Sequence, residues 1–200
     1  TLLDGAGIRI VRTHTGGQRG RKVAFTVSTG DATVAMIEQS HHRRQIEGKK
    51  RELAGRRIKV LVVDDSPTVR GIIGDALSGE PDIDILPGAA DPYEARQLLL
   101  EHDPDVICLD IIMPRMDGIA FLKKLFQFKP KPVIVISTVV QEGSALREQA
   151  ERIGAIDVID KEELDLYRDP ERVRSVLAGK IRAAARVYVK PRSRQELDAI

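Results

Sequence analysis

Several features are scarce in this sequence, and each scarcity excludes something. One cysteine in 200 residues, Cys108, rules out an internal disulfide framework and fits a reducing compartment. No stretch approaches the ~18 consecutive apolar residues of a membrane span. The first twenty residues lack the apolar core of a signal peptide. Aromatic residues make up only 4% of the chain and none interleaves with its main basic run, which argues against a nucleic-acid surface. No G-x-S-x-G or comparable serine motif occurs, and all four histidines precede residue 103, so no hydrolase catalytic set is expected in these residues. The chain opens on Thr1 without an initiator methionine and is expected to be a fragment of something longer. At 42% hydrophobic and 31% charged, with a net charge of +2, it suits a soluble, cytoplasmic chain of one or two domains.

The small net charge hides an uneven distribution. Residues 1–57 carry twelve Lys/Arg against five Asp/Glu, a net of +7, while residues 58–200 carry twenty against twenty-five, a net of −5. The change falls after HHRRQIEGKKRELAGRR (41–57), read as a basic, solvated linker with a helical middle. An anionic-surface patch is the alternative. The pair His41–His42 lacks cysteine or carboxylate neighbours at metal-ligand spacing and is expected to be solvated.

Beyond the linker the pattern is regular. IKVLVV (58–63) is a nearly continuous apolar run, as expected of a strand covered on both faces. The following helix places Val69, Ile72, Ile73, Ala76 and Leu77 at helical spacing, with Ser66 as its cap and Pro67 in its first turn. IDIL (83–86), VICLD (106–110), VIVIS (133–137) and AIDVI in the 156–160 region read as further strands. They alternate with helices near PYEARQLLLEH, IAFLKKLFQF (119–128), SALREQAERIG (144–154) and residues 170–186. Five strands alternating with five helices imply an α/β fold with a parallel sheet covered on both sides.

In such sheets ligands sit beyond the carboxyl ends of the strands. Asp64 and Asp65 close the first strand and Asp110 closes the third, neighbours in a 2-1-3-4-5 order. Three carboxylates converging there repel one another unless a hard divalent cation, best Mg²⁺, binds between them. Ser137 ends the fourth strand and Lys161 follows the fifth. An acidic cluster, a hydroxyl and a lysine match phosphoryl transfer: one carboxylate attacks in line, and the positive charge neutralises the phosphoryl oxygens.

The region from about Lys59 to Lys161 resembles the receiver domain of bacterial two-component response regulators, a flavodoxin-like (βα)5 fold. LDIIMPRMDGIAFL (109–122), ADPYEARQLL (90–99) and VIVISTVVQEG (133–143) are most similar to the receiver of CheB-type chemotaxis methylesterases. The resemblance implies that Asp110 is the phosphoacceptor, that Asp64 and Asp65 organise Mg²⁺, and that the backbone carbonyl of Ile112 completes the protein's ligands. Ser137 and Lys161 would engage the phosphoryl group. Met113, Pro114, Asp117 and Gly118 would shape the loop after the phosphorylated strand. The implied partners are a chemotaxis histidine kinase as phosphodonor, a methylesterase effector domain and chemoreceptors.

Three positions depart from that pattern. Relatives usually have an acidic residue where this chain has Ile112, so slow autodephosphorylation is expected. The lysine is usually followed by proline, here by Glu162, so a trans, looser loop is expected. The switch aromatic on the fifth strand is replaced by Val158.

KVAFTVSTGDATVAMI (22–37) alternates around a Thr-Gly-Asp turn and reads as an N-terminal β-hairpin. GIRIVRTHTGGQRGRKVAFTVSTGDATVAMI resembles the C-terminal end of CheD-type chemoreceptor glutamine deamidases, with Gly16, Gly17, Gly20 and Arg21 matching a loop motif and no catalytic residue carried over. Cys108 lies in a receiver strand and reads as a buried structural thiol. The expected organisation is a CheD-like fragment over 1–38, the basic linker over 39–57, a receiver over 58–167, and its last helix with the start of a linker to a missing methylesterase domain over 168–200. A stand-alone phospho-switch acting by protein docking is the alternative. An Asp-nucleophile phosphatase is disfavoured because Asp110 is followed by Ile111 and Ile112 rather than completing D-x-D. A DNA-binding output is disfavoured because the 33 residues from Arg168 to Ile200 are too few for a helix-turn-helix.

Overall fold

Apolar runs flanked by capping residues set the architecture seen in a computed structural model of the chain. It describes residues 3–4, 8–13, 24–28, 31–113, 117–138 and 140–200, with side chains from residue 39 onward except at 42 and 50. The chain divides into two units, Thr1–Glu47 and Gly48–Ile200.

In the first unit, β1 (Leu3–Asp4), β2 (Ile8–Thr13) and β3 (Ala24–Ser28) form an antiparallel sheet in that order. Helix α1 (Asp31–Leu53) begins in this unit and ends in the second. The expected hairpin over 22–37 is therefore corrected. Its first arm is β3, but that strand pairs upstream with β2, Ile10 opposite Val27, and its second arm is helical from Asp31. The physical reason is composition: Ala32, Ala35, Met36, Glu38 and Gln39 form a run in which good helix formers outnumber β-branched residues. The glycine loop with Gly16, Gly17, Gly20 and Arg21 lies outside the described residues.

The second unit is built on five parallel strands: β4 (Ile58–Val63), β5 (Ile83–Ile85), β6 (Val106–Leu109), β7 (Val133–Ser137) and β8 (Asp157–Asp160). Their spatial order is β5-β4-β6-β7-β8, the 2-1-3-4-5 arrangement expected. Helices α2 (Pro67–Ser78) and α6 (Pro170–Ala185) cover one face, while α3 (Pro92–His102), α4 (Gly118–Phe128) and α5 (Ala145–Ile153) cover the other. The two-residue alternation of a strand sorts the side chains. Val60, Val62, Val106 and Cys108 pack toward α2 and α6, and Leu61, Val63, Ile107 and Leu109 pack toward α3, α4 and α5. Both faces are covered, which is why the strands read as continuous apolar runs. Cys108 is buried among them, and that burial pushes its thiol up to about 12.

Side-chain caps fix where the helices start. Ser66 accepts from the Val69 amide with Pro67 behind it, as expected, and Asp91 and Asp117 cap α3 and α4. Two segments read as linkers are attached to the body. At the end of the basic run, the Arg56 guanidinium donates to both oxygens of buried Asp105, at 2.6 and 2.8 Å. After α6, the Arg192 amide donates to the Phe126 carbonyl, and a short helix α7 (Arg194–Asp198) buries Leu197 against the α4–α5 side. No helix among the described residues is long and apolar enough to cross a membrane.

Candidate functional site

The carboxyl edge of the sheet gathers the residues singled out from the sequence. Asp64 follows β4, Asp110 follows β6, Ser137 ends β7 and Lys161 follows β8. Because β4 and β6 are hydrogen-bonded neighbours, with Val63 in register with Leu109, the aspartates after them face one another. Asp64, Asp65 and Asp110 each offer a carboxylate oxygen, all within 4.8 Å of one another. Asp64 and Asp110 are buried, whereas Asp65 is exposed.

Each buried carboxylate oxygen has a defined partner. Asp64 Oδ1 accepts from the Ser66 amide at 2.9 Å, and its Oδ2 accepts from Lys161 Nζ at 2.7 Å. Asp110 Oδ1 accepts from Ser137 Oγ at 2.7 Å and from the Ile112 amide at 2.8 Å. Its Oδ2 accepts from Lys161 Nζ at 2.5 Å. Lys161 thus bridges two carboxylates with one ammonium. Its own reach is set by the loop after β8, where its amide donates to the Ser137 carbonyl and Asp160 accepts from the Glu162 amide. No cis peptide bond occurs among the described residues, in line with the trans loop expected at Lys161–Glu162.

Electrostatics show what remains uncompensated. Burial would lower the Lys161 pKa, but the hydrogen bonds and charges of Asp110 and Asp64 outweigh it and hold the amine above its ordinary value. Burial raises the Asp64 pKa, and Lys161 only partly counters it, so this carboxyl stays above the usual range. One amine does not neutralise three carboxylates, and a further cation is favoured at the site. The donor set is all oxygen, as hard cations require. Asp64, Asp65 and Asp110 are the residues that would hold such an ion.

Two supporting contacts were not expected. Arg70 on α2 donates to the Asp64 carbonyl at 2.6 Å, and the Asp64 amide donates to the Ala89 carbonyl at 3.0 Å. The first was readable in principle, since Arg70 sits one helical turn past the Ser66 cap. The loop after β6 is closed by the Gly118 amide donating to the Ile111 carbonyl at 3.2 Å. A Cβ at Gly118 would lie 2.4 Å from the Ile111 Cα, so only glycine fits. Asp117 caps α4 beside it and Met113 is buried, while Pro114 lies outside the described residues. Ile112 is 45% exposed directly beside Asp110, and Val158 is buried in β8. His41 is exposed.

A family model described as the response regulator receiver domain matches residues 60–167. The chain belongs to the response regulator receiver family. Its receiver is homologous to that of CheB. It is 39% identical over 137 residues to a protein-glutamate methylesterase/protein-glutamine glutaminase of Thiobacillus denitrificans, covering 68% of this chain and 38% of that one. A protein of the same description from Bordetella pertussis is 41% identical over 135 residues, covering 68% of this chain and 39% of the other. The chain therefore spans well under half the length of these relatives. Among solved structures, the response regulator domain of Thermotoga maritima CheB superposes with a TM-score of 0.61 at 38% identity, covering 66% of this chain and 99% of that one. Receivers of this family bind Mg²⁺ at an acidic aspartate cluster, and this receiver has such a cluster in Asp64, Asp65 and Asp110.

Proposed function

We propose that this receiver accepts a phosphoryl group on Asp110 and uses it to regulate a CheB-type receptor methylesterase in bacterial chemotaxis. The observation that carries the reading is the position of Asp110: buried, flanked by Asp64 and Asp65, and held by Ser137 and Lys161. Asp64, Asp65, Asp110 and the Ile112 backbone carbonyl would hold Mg²⁺. That ion would supply positive charge to the phosphoryl oxygens as the phosphorus changes partners.

The chain's own groups define the rest. Asp110 Oδ1 has two donors fixed in the framework, Ser137 Oγ and the Ile112 amide. Its Oδ2 is held by Lys161 alone, on a flexible stem. Oδ2 is therefore the nucleophile. It forms the new O–P bond as the bond from phosphorus to the donor's imidazole nitrogen breaks, and Lys161 swings from Oδ2 onto a phosphoryl oxygen. Ser137, already aimed at the same carboxylate, has its hydroxyl within reach of the arriving phosphoryl group. A chemotaxis histidine kinase is the phosphodonor in this reading.

Intact-protein mass after incubation with acetyl phosphate tests it. A phosphoryl adduct is expected with Mg²⁺, and none with EDTA or in Asp110→Asn. An adduct equal in Asp110→Asn would overturn the assignment. The effector is tested by the reading frame beyond Ile200: a serine hydrolase domain supports the methylesterase reading, and a stop codon supports a stand-alone phospho-switch. The CheD-like reading of residues 1–38 rests on sequence resemblance alone, and a Cys-His deamidase encoded upstream would support it.

A further inference from the structure

On the face away from α2 and α6, helices α3 and α4 leave between them a recess of about 620 Å³ that phosphoryl chemistry does not use. Its apolar lining includes Tyr93, Leu100, Phe121, Leu125 and Phe128. Phe128 is 76% exposed, Tyr93 69% and Leu100 60%. These are three of the five large hydrophobics exposed among the described residues, and all three fall on this one groove. Singly exposed apolar residues need no explanation, but a contiguous exposed cluster indicates a binding surface.

The charge at its edge selects the partner. Arg96, Lys124 and Lys129 line the groove and no acidic residue does, although residues 58–200 as a whole carry a net charge of −5. Lys129 is engaged, donating to the Leu99 carbonyl and pairing with Asp103 at 2.9 Å. Arg96 and Lys124 form no ion pair among the described residues. The neighbouring acids are already occupied: Glu94 accepts from the Ala90 amide, Glu101 from Gln97, and Asp103 is shared by Lys129 and Lys131.

The geometry points to a docking groove for an acidic amphipathic helix of a partner protein. Each wall is an 11-residue helix, a length of about 16 Å, so the groove holds about three turns of a third helix. Apolar side chains at i, i+3 or i+4, and i+7 of that helix fill the recess, and its flanking carboxylates meet Arg96 and Lys124. A concave site between two helices fits a helix better than a bilayer, which a protruding apolar edge would serve. The inference does not rest on the role proposed for Asp110.

The test uses the full 200-residue chain and a fluorescein-labelled helical peptide of about four turns. One peptide carries leucine along one stripe and glutamate on both flanks, and a second carries lysine in place of glutamate. Anisotropy is expected to show saturable binding of the glutamate peptide in the micromolar range, and none of the lysine peptide. Phe128→Ala and the double variant Arg96→Glu/Lys124→Glu should each weaken binding by about tenfold or more, with circular dichroism unchanged because all three side chains lie on the surface. No saturable binding, equal binding of both peptides, or indifference to these variants would overturn the inference. So would two other results: Phe128-dependent sedimentation with phosphatidylglycerol vesicles, which would make the groove a lipid contact, or Phe128-dependent dimerisation in sedimentation velocity, which would make it a self-interface.

Discussion

Replacing Lys161 with methionine isolates what the lysine does in the metal-free protein. Methionine keeps much of the stem's length and volume but removes the charge that sits 2.7 Å from Asp64 and 2.5 Å from Asp110. Those carboxylates are 2% and 5% exposed, so water replaces the lysine poorly. Breaking a buried pair by removing one partner typically costs about 3–5 kcal/mol, because the remaining charge is stranded. Two carboxylates are stranded here, which places the expected loss in that range at neutral pH. With a urea m-value of about 2 kcal/mol/M, the unfolding midpoint falls by roughly 1.5–2.5 M. Two conditions should shrink the loss. Burial holds the Asp64 carboxyl above the usual range, so acidification removes its charge early as pH falls toward that raised pKa. Millimolar Mg²⁺ should restore stability by binding the folded state alone. Urea melts of both proteins with EDTA and with Mg²⁺, at neutral and mildly acidic pH, provide the check. If Lys161→Met matches the parent in EDTA at neutral pH and gains nothing from Mg²⁺, the account of an uncompensated acidic cluster is refuted.

Further substitutions probe separate links. Gly118→Ala puts a Cβ 2.4 Å from the Ile111 Cα and should cost about 1–3 kcal/mol in urea unfolding, whereas Gly74→Ala in α2, where a Cβ meets open space, should not destabilise. Ile112→Glu should shorten the lifetime of the aspartyl phosphate severalfold, followed by loss of the phosphoryl mass, since an apolar side chain there hinders attacking water; an unchanged lifetime removes that role. Arg56→Met should cost about 2 kcal/mol at neutral pH by removing the guanidinium from buried Asp105, which keeps only the Lys59 amide and Lys49 at 3.8 Å. Burial works to raise the Asp105 pKa, but the Arg56 hydrogen bonds and the Lys59 amide prevail and hold it below the ordinary value. Its contribution is therefore complete above the unfolded-state value of about 3.9 and fades as pH falls through the depressed folded value. Denaturation curves at pH values on either side of that window should converge for Arg56→Met and the parent at the acid end.

The sheet and the acidic site were legible because their signals are local and repeated. Strands buried on both faces read as apolar runs such as VLVV and VICL. Each chemically informative residue stands directly at the end of one, so topology alone brings Asp64, Asp110, Ser137 and Lys161 together. The N-terminal unit was less legible. The alternation in VAFTV continues plausibly into DATVAMI, and the choice between strand and helix from Asp31 depended on a run longer than the alternating window. The attachment of the basic run was invisible, since Arg56 and Asp105 are 49 residues apart and one of them is buried only by the fold. The C-terminal attachment was partly readable. Ser193-Arg194-Gln195-Glu196 is a capping box, and both of its reciprocal hydrogen bonds form at the start of α7. The groove between α3 and α4 was not readable, because Leu100 and Phe128 look like ordinary helix residues until their exposure is known.

The most direct test of the central claim is to locate the phosphoryl group chemically. The chain is treated with acetyl phosphate and Mg²⁺, reduced with borohydride, which converts an acyl phosphate to the alcohol, and digested for peptide mass analysis. Conversion of Asp110 to homoserine, with Asp64 and Asp65 left intact, is the predicted result. Reduction at Asp64 or Asp65, or at no aspartate while the protein remains folded, would contradict it.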